Sequence, residues 1–182
     1  MQGRVWTVPN QITLLRLGFL PLILILIAYD HYRWALAVLV LAALSDAFDG
    51  FMARKLNQRS SLGAYLDPIA DKLMLSSSFV ILAFKMQLAW WLTIMVLSRD
   101  ILLVTVAVVI ILMSGYKAFP PSFLGKATTA FQILLVFCVV LSAAYPQRWV
   151  ASLNHVLIYL VAALTVISGF HYSFSIARRL ST

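Results

Sequence analysis

Four aspartates crowd into one stretch of an otherwise oily chain, SDAFDGFMARKLNQRSSLGAYLDPIADKL at residues 45 to 73. On a helix, residues three and four apart share a face. Asp46, Asp49, Gly50 and Ala53 therefore make one stripe, and Asp67 and Asp71 a second. Two helices joined by so short a connection lie side by side and antiparallel, which sets four carboxylates against one another. Such a group either takes up protons or binds cations. With oxygen donors only and no cysteine or histidine close by, hard divalent ions fit, Mg²⁺ or Mn²⁺. Gly50 and Ala53 leave room for a ligand to approach the backbone, Gly63 falls in the connecting segment, and Arg54 and Lys55 bring positive charge to the same end. Because arginine grips phosphate through paired hydrogen bonds, the combination points to a phosphate-containing substrate.

The elements that must position these groups are apolar. Hydrophobic residues make up 63% of the 182 and charged residues 11%, against about 25% charged in a soluble domain, and the mean hydropathy is +0.95. About 20 apolar residues cross a bilayer core. Apolar runs near 11 to 29, 34 to 56, 66 to 86, 89 to 113, 123 to 144 and 150 to 176 predict an all-α integral membrane protein of six transmembrane helices. Residues 1 to 182 then form a single membrane domain. Asp30-His31, Lys85 to Gln87, Ser114 to Pro121 and Tyr145 to Arg148 read as turns. The first run lacks a small-residue cleavage site and is interrupted by Arg16 and Pro21, so it is expected to be a permanent span.

Cationic residues orient the bundle. With both termini cytoplasmic, Arg4, Arg54, Lys55, Arg59, Lys117, Lys126, Arg178 and Arg179 lie inside, against Arg33, Lys85 and Arg148 outside, as the positive-inside rule requires. The aspartates then sit at the cytoplasmic ends of the second and third spans. Trp34, Trp90, Trp91 and Trp149 fall at the opposite ends as interface anchors. The net charge of +8 is spread over the ends of apolar runs. It suits anionic lipid headgroups and gives no continuous patch for nucleic acid. A single cysteine, Cys138, and scattered His31, His155 and His171 argue against a disulfide or zinc.

Asp46-x₂-Asp49-Gly50-x₂-Ala53-Arg54-x₈-Gly63-x₃-Asp67-x₃-Asp71 resembles, position for position, the signature of the CDP-alcohol phosphatidyltransferases, membrane enzymes of phospholipid synthesis. VPNQITLLR at residues 8 to 16 and the pair Gly125-Lys126 look like the branch that makes phosphatidylglycerol-type lipids. The resemblance implies transfer of a phosphatidyl group from CDP-diacylglycerol to an alcohol with release of CMP, a homodimer, and a site at the cytoplasmic face of the bacterial inner membrane. It implies that Asp46, Asp49 and Asp67 hold divalent metal and that Asp71 joins them and acts as general base. Asn10, Thr13, Gly50, Ala53, Arg54, Ser60 and Gly63 match the CDP-lipid side.

Arg99, Lys72, Lys117 and Lys126 are the candidates for holding the acceptor. Arg99 and Asp100 interrupt the fourth apolar run, and neighbours on a helix do not face each other, so each is expected to find its own partner. Glycerol-3-phosphate is the expected acceptor. Ala107 and Thr128-Thr129 stand where glycerol-3-phosphate enzymes often carry a second Arg and a Lys-Thr pair, which keeps phosphatidylglycerol, giving cardiolipin, as the alternative, followed by inositol phosphate. From another class, a cation or proton transporter also uses intramembrane aspartates, although its site tends to lie at the midplane between repeated halves.

Overall fold

The computed structural model describes residues 8 to 56, 61 to 114 and 123 to 180, with side chains described over 18 to 45, 72 to 105 and 123 to 170. Every regular element in these residues is helical: α1 (Val8–Ala28), α2 (Tyr32–Leu56), α3 (Ser61–Phe84), α4 (Trp90–Ser114), α5 (Phe123–Ala144) and α6 (Arg148–Leu180). The helices coincide with the six apolar runs and overrun them where the chain turns polar. Hydropathy marks only the apolar middle of a helix, whereas backbone hydrogen bonding continues past it. One consequence corrects the sequence reading: Gly63 is in the first turn of α3, not in the connection.

Among the described residues, α5 over Phe123–Ala144 and α6 over Arg148–Phe170 are long and apolar enough to cross a membrane. Helix α1 packs on α2 and α3, α5 on α6 and α2, and α4 on α6 and α3. The shared core holds Ile23, Ile27, Phe79, Leu82, Leu92, Leu135, Val140 and Val161, all buried. Outward faces remain apolar, with Trp34, Ile94, Ile101, Val156, Tyr159 and Phe170 exposed. Cys138 is buried and free.

Two turns share one device. Asp30 and Met86 have positive φ, 61° and 56°. The amides of Asp30 and His31 donate to the carbonyls of Ile27 and Leu26, and those of Met86 and Gln87 to Ala83 and Leu82. Both are Schellman closures, with a non-glycine residue in the left-handed position glycine usually takes. The strain is tolerated because each turn is held from outside. Lys85 Nζ donates to the Ala28 carbonyl at 3.2 Å and to Asp30 Oδ2 at 2.7 Å, and the Arg33 guanidinium lies 5.2 Å over the Tyr145 ring. The three turns 29–31, 85–89 and 145–147 therefore meet at one end of the bundle. The aspartate-bearing ends of α2 and α3 lie at the other.

Candidate active site

Helix geometry sets the depth of the site. At 1.5 Å per residue, position 46 is about 15 Å in from the end of α2, and position 71 about 15 Å in from the start of α3. Positions 49 and 67 are each about 10 Å in. Leu56 and Ser61 close the gap within roughly 18 Å of chain. The four aspartate positions thus occupy matching levels on two helices that meet at one end. Counted back from the turn at 29–31, Asn10 stands level with Gly50, and Thr13 is one turn deeper on α1. Ala53 and Arg54 lie in the last turn of α2, and Gly63 in the first of α3. Ser60 and Lys117 fall outside the described residues, as do the side chains of Asn10, Thr13, Arg54 and all four of these aspartates. The donor set, four carboxylates and no softer ligand, fits a hard divalent ion.

One residue beyond Asp71 the side chains are described, and they form a network that runs from half-buried Lys72 into the buried interior. Asp100 Oδ1 accepts from Lys72 Nζ at 2.5 Å and from Arg99 Nη1 at 2.8 Å. Arg99 Nη2 donates to Ser168 Oγ at 2.8 Å. The network joins α3, α4 and α6. Each does find its own partner, Ser168 for Arg99 and Lys72 for Asp100, but the two also bond to each other, because a guanidinium on three methylenes reaches back to its neighbour's carboxylate where a shorter side chain would not. Ser168 is a member the sequence did not single out; a serine beside a glycine in an apolar run reads as a packing contact. Arg99 and Asp100 are 6% and 5% exposed. Arg99 Nε and Asp100 Oδ2 are buried with no hydrogen-bond partner. Lys126, the remaining described candidate, is exposed on α5.

At the opposite end Asp30 pairs with Lys85 in the open. The Lys85 ammonium donates to its carboxylate and holds it below its ordinary range, helped by the Tyr32 hydroxyl, which donates to Oδ1 at 3.0 Å.

Comparison with known proteins identifies what this arrangement belongs to. The family model described as CDP-alcohol phosphatidyltransferase matches residues 6–167. The chain is 41% identical over 156 residues to a cardiolipin synthase (CMP-forming) of Streptomyces coelicolor, covering 82% of this chain and 71% of that protein. It is 35% identical over 151 residues to the human cardiolipin synthase (CMP-forming), covering 72% of this chain but only about half, 49%, of the human protein. It is 30% identical over 174 residues to the CDP-diacylglycerol–glycerol-3-phosphate 3-phosphatidyltransferase of Pectobacterium atrosepticum, covering 92% and 93% of the two chains.

Proposed function

The chain belongs to the CDP-alcohol phosphatidyltransferase family, and from that premise we propose that it moves a phosphatidyl group from CDP-diacylglycerol to an alcohol acceptor and releases CMP. The observation that carries this reading is the set of aspartate positions at matched depth on α2 and α3, inside the matched region and one residue from a buried cationic network. Relatives named for a glycerol-3-phosphate acceptor and for cardiolipin synthesis support both phosphatidylglycerol and glycerol-3-phosphate as candidate acceptors.

In this reading Asp46, Asp49, Asp67 and Asp71 would hold Mg²⁺ or Mn²⁺, which when bound supplies positive charge against the pyrophosphate and the departing CMP. Asn10, Thr13, Gly50, Ala53, Arg54, Ser60 and Gly63 receive the CDP-lipid. Asp71 takes the proton of the acceptor hydroxyl as that oxygen bonds to the lipid-side phosphorus and the bond to CMP breaks. The buried network next to Asp71 holds the acceptor through Arg99. The six helices cross the cytoplasmic membrane of a bacterium as one domain, both termini inside, and the chain works as a homodimer.

The test is CMP release by the full chain in lipid, with CDP-diacylglycerol, Mg²⁺ and either acceptor. Metal-dependent release is expected, with most turnover lost in Asp71→Asn although the protein still folds. Near-normal turnover in Asp71→Asn would remove the base role. Absence of release with every acceptor, together with cation flux into vesicles, would favour a transporter.

A further inference from the structure

Beside Arg99 the bundle is not closed. A groove of about 270 Å³ runs between α4 and α6, with Arg99 at its floor, Met95 and Leu102 on the α4 wall, and Val166, Gly169 and Phe170 on the α6 wall. Leu102, Val166 and Phe170 are exposed, so the groove opens sideways, to the flank of the bundle that faces lipid in a membrane. There is open space at Gly169, where a Cβ built on the backbone meets nothing within 4 Å. Ser98 and Thr165 also line it, but their hydroxyls donate back to the Ile94 and Val161 carbonyls of their own helices, so the walls are mainly apolar and the charge is at the base, where the Arg99 guanidinium keeps one N–H, at Nε, buried and unpartnered. A donor left unpaired in this way carries its full desolvation penalty.

Two demands meet here. The unpaired N–H wants an anionic oxygen, and the walls want hydrocarbon. The charge of the cluster narrows the choice further. Arg99 and Lys72 bring two positive charges and Asp100 one negative, leaving one net positive charge. That matches a phosphodiester, which carries one negative charge. A phosphate monoester carries about 1.5 to 2 negative charges at neutral pH, and a small soluble acceptor would leave the apolar walls without a partner.

We propose that this groove is a subsite for an acyl chain of the acceptor, with the acceptor's phosphodiester at Arg99. The acceptor is then a phosphate-bearing lipid with a free hydroxyl, of the phosphatidylglycerol type, arriving from the side of the bundle. The proposal rests on the phosphatidyl-transfer reading for the chemistry: the lipid hydroxyl oxygen bonds to phosphorus, its proton goes to Asp71, and CMP leaves. Occupation of the groove does not depend on turnover and can be measured alone.

The experiment uses the full chain in bilayer nanodiscs containing phosphatidylglycerol with a diazirine in mid-chain, compared with phosphatidylcholine carrying the same chain. After illumination, peptides are mapped by mass spectrometry. The glycerol lipid is expected to label residues 95 to 102 and 165 to 170 several-fold more than the choline lipid. Gly169→Phe and Val166→Trp, which fill the groove from two sides, should abolish the excess, and Arg99→Gln should abolish the headgroup preference. Val156→Phe, on an exposed face of α6 away from the groove, should keep it. In turnover, the groove-filling variants should raise the phosphatidylglycerol KM more than the CDP-diacylglycerol KM. Equal labelling by both headgroups, labelling that survives both groove-filling variants, or faster turnover of glycerol-3-phosphate than of phosphatidylglycerol would overturn the proposal. If no acceptor releases CMP, the transferase reading fails while the labelling pattern still decides what occupies the groove.

Discussion

The molecule contains the same ion pair twice, in opposite settings. Asp30 and Lys85 meet at 2.6 Å in a turn, with the Asp30 side chain 60% exposed; Asp100 and Lys72 meet at 2.5 Å between helices, with the Asp100 side chain 7% exposed. Partners decide what each pair can do. Water completes the coordination of Asp30, and solvent screening leaves an exposed pair with little net energy. Around Asp100 there is no such relief. Desolvation is offset only by the second cation, Arg99, and by Ser168, and two polar atoms stay unpaired. The exposed pair is a fastener. The buried one leaves a donor and an acceptor unsatisfied, and it is on that imbalance that the proposed acceptor subsite rests.

That contrast can be broken by substitution. Asp100→Ala should have the largest effect, because it leaves the buried Arg99 guanidinium without its carboxylate. Removing one partner of a buried pair costs about 3–5 kcal/mol, to be read as a fall in unfolding temperature in detergent with loss of CMP release. A fall no greater than that of Lys85→Ala would erase the distinction between the two pairs. Next, Arg99→Lys keeps the charge but not the fork, so Asp100 and Ser168 cannot both be held. We expect acceptor kcat/KM to drop about tenfold or more, with a smaller change for CDP-diacylglycerol. Ser168→Ala removes one buried hydrogen bond, for about 1 kcal/mol, measurable by unfolding; no shift would mean the Arg99 contact is idle.

The smallest effect belongs to Lys85→Ala, whose unfolding temperature should fall only slightly below the parent's near neutral pH. Its signature is in acid. Lys85 holds the Asp30 carboxyl below its ordinary value of 3.8. A depressed carboxylate contributes stability that is present above the ordinary value and lost as pH falls through the lowered one. An NMR titration of Asp30 should therefore move up in the variant, and the stabilities of parent and variant should converge in that acid window. An unmoved titration would show that Lys85 does not set it.

How far each pair was legible in the sequence differs for a physical reason. Asp30, Lys85 and Tyr145 announce themselves as polar breaks between apolar runs, and the six helices follow from those runs with ends shifted by a few residues. The aspartate positions were legible because period and spacing survive in any helix. Arg99 and Asp100 stood out as charges in an apolar run, yet their direct bond did not. A rule about helix faces speaks of where a side chain leaves the backbone, not of how far a long one can bend. Ser168 was illegible altogether, since nothing local separates a hydrogen-bonding serine from a packing one. The groove was likewise invisible, being made by two helices distant in the chain.

The linked turns have a mechanical consequence. Lys85 ties the second hairpin's turn to the first, and Arg33 ties the start of α2 to the turn before α6. A bundle clipped together at one end breathes from the other, like a clothes-peg. Amide exchange should then be slow in the buried middle of α2 and α3 and quicken along them toward residues 56 and 61. The freedom to admit two substrates and expel a nucleotide would lie at the aspartate end, and the two strained turns would be the spring.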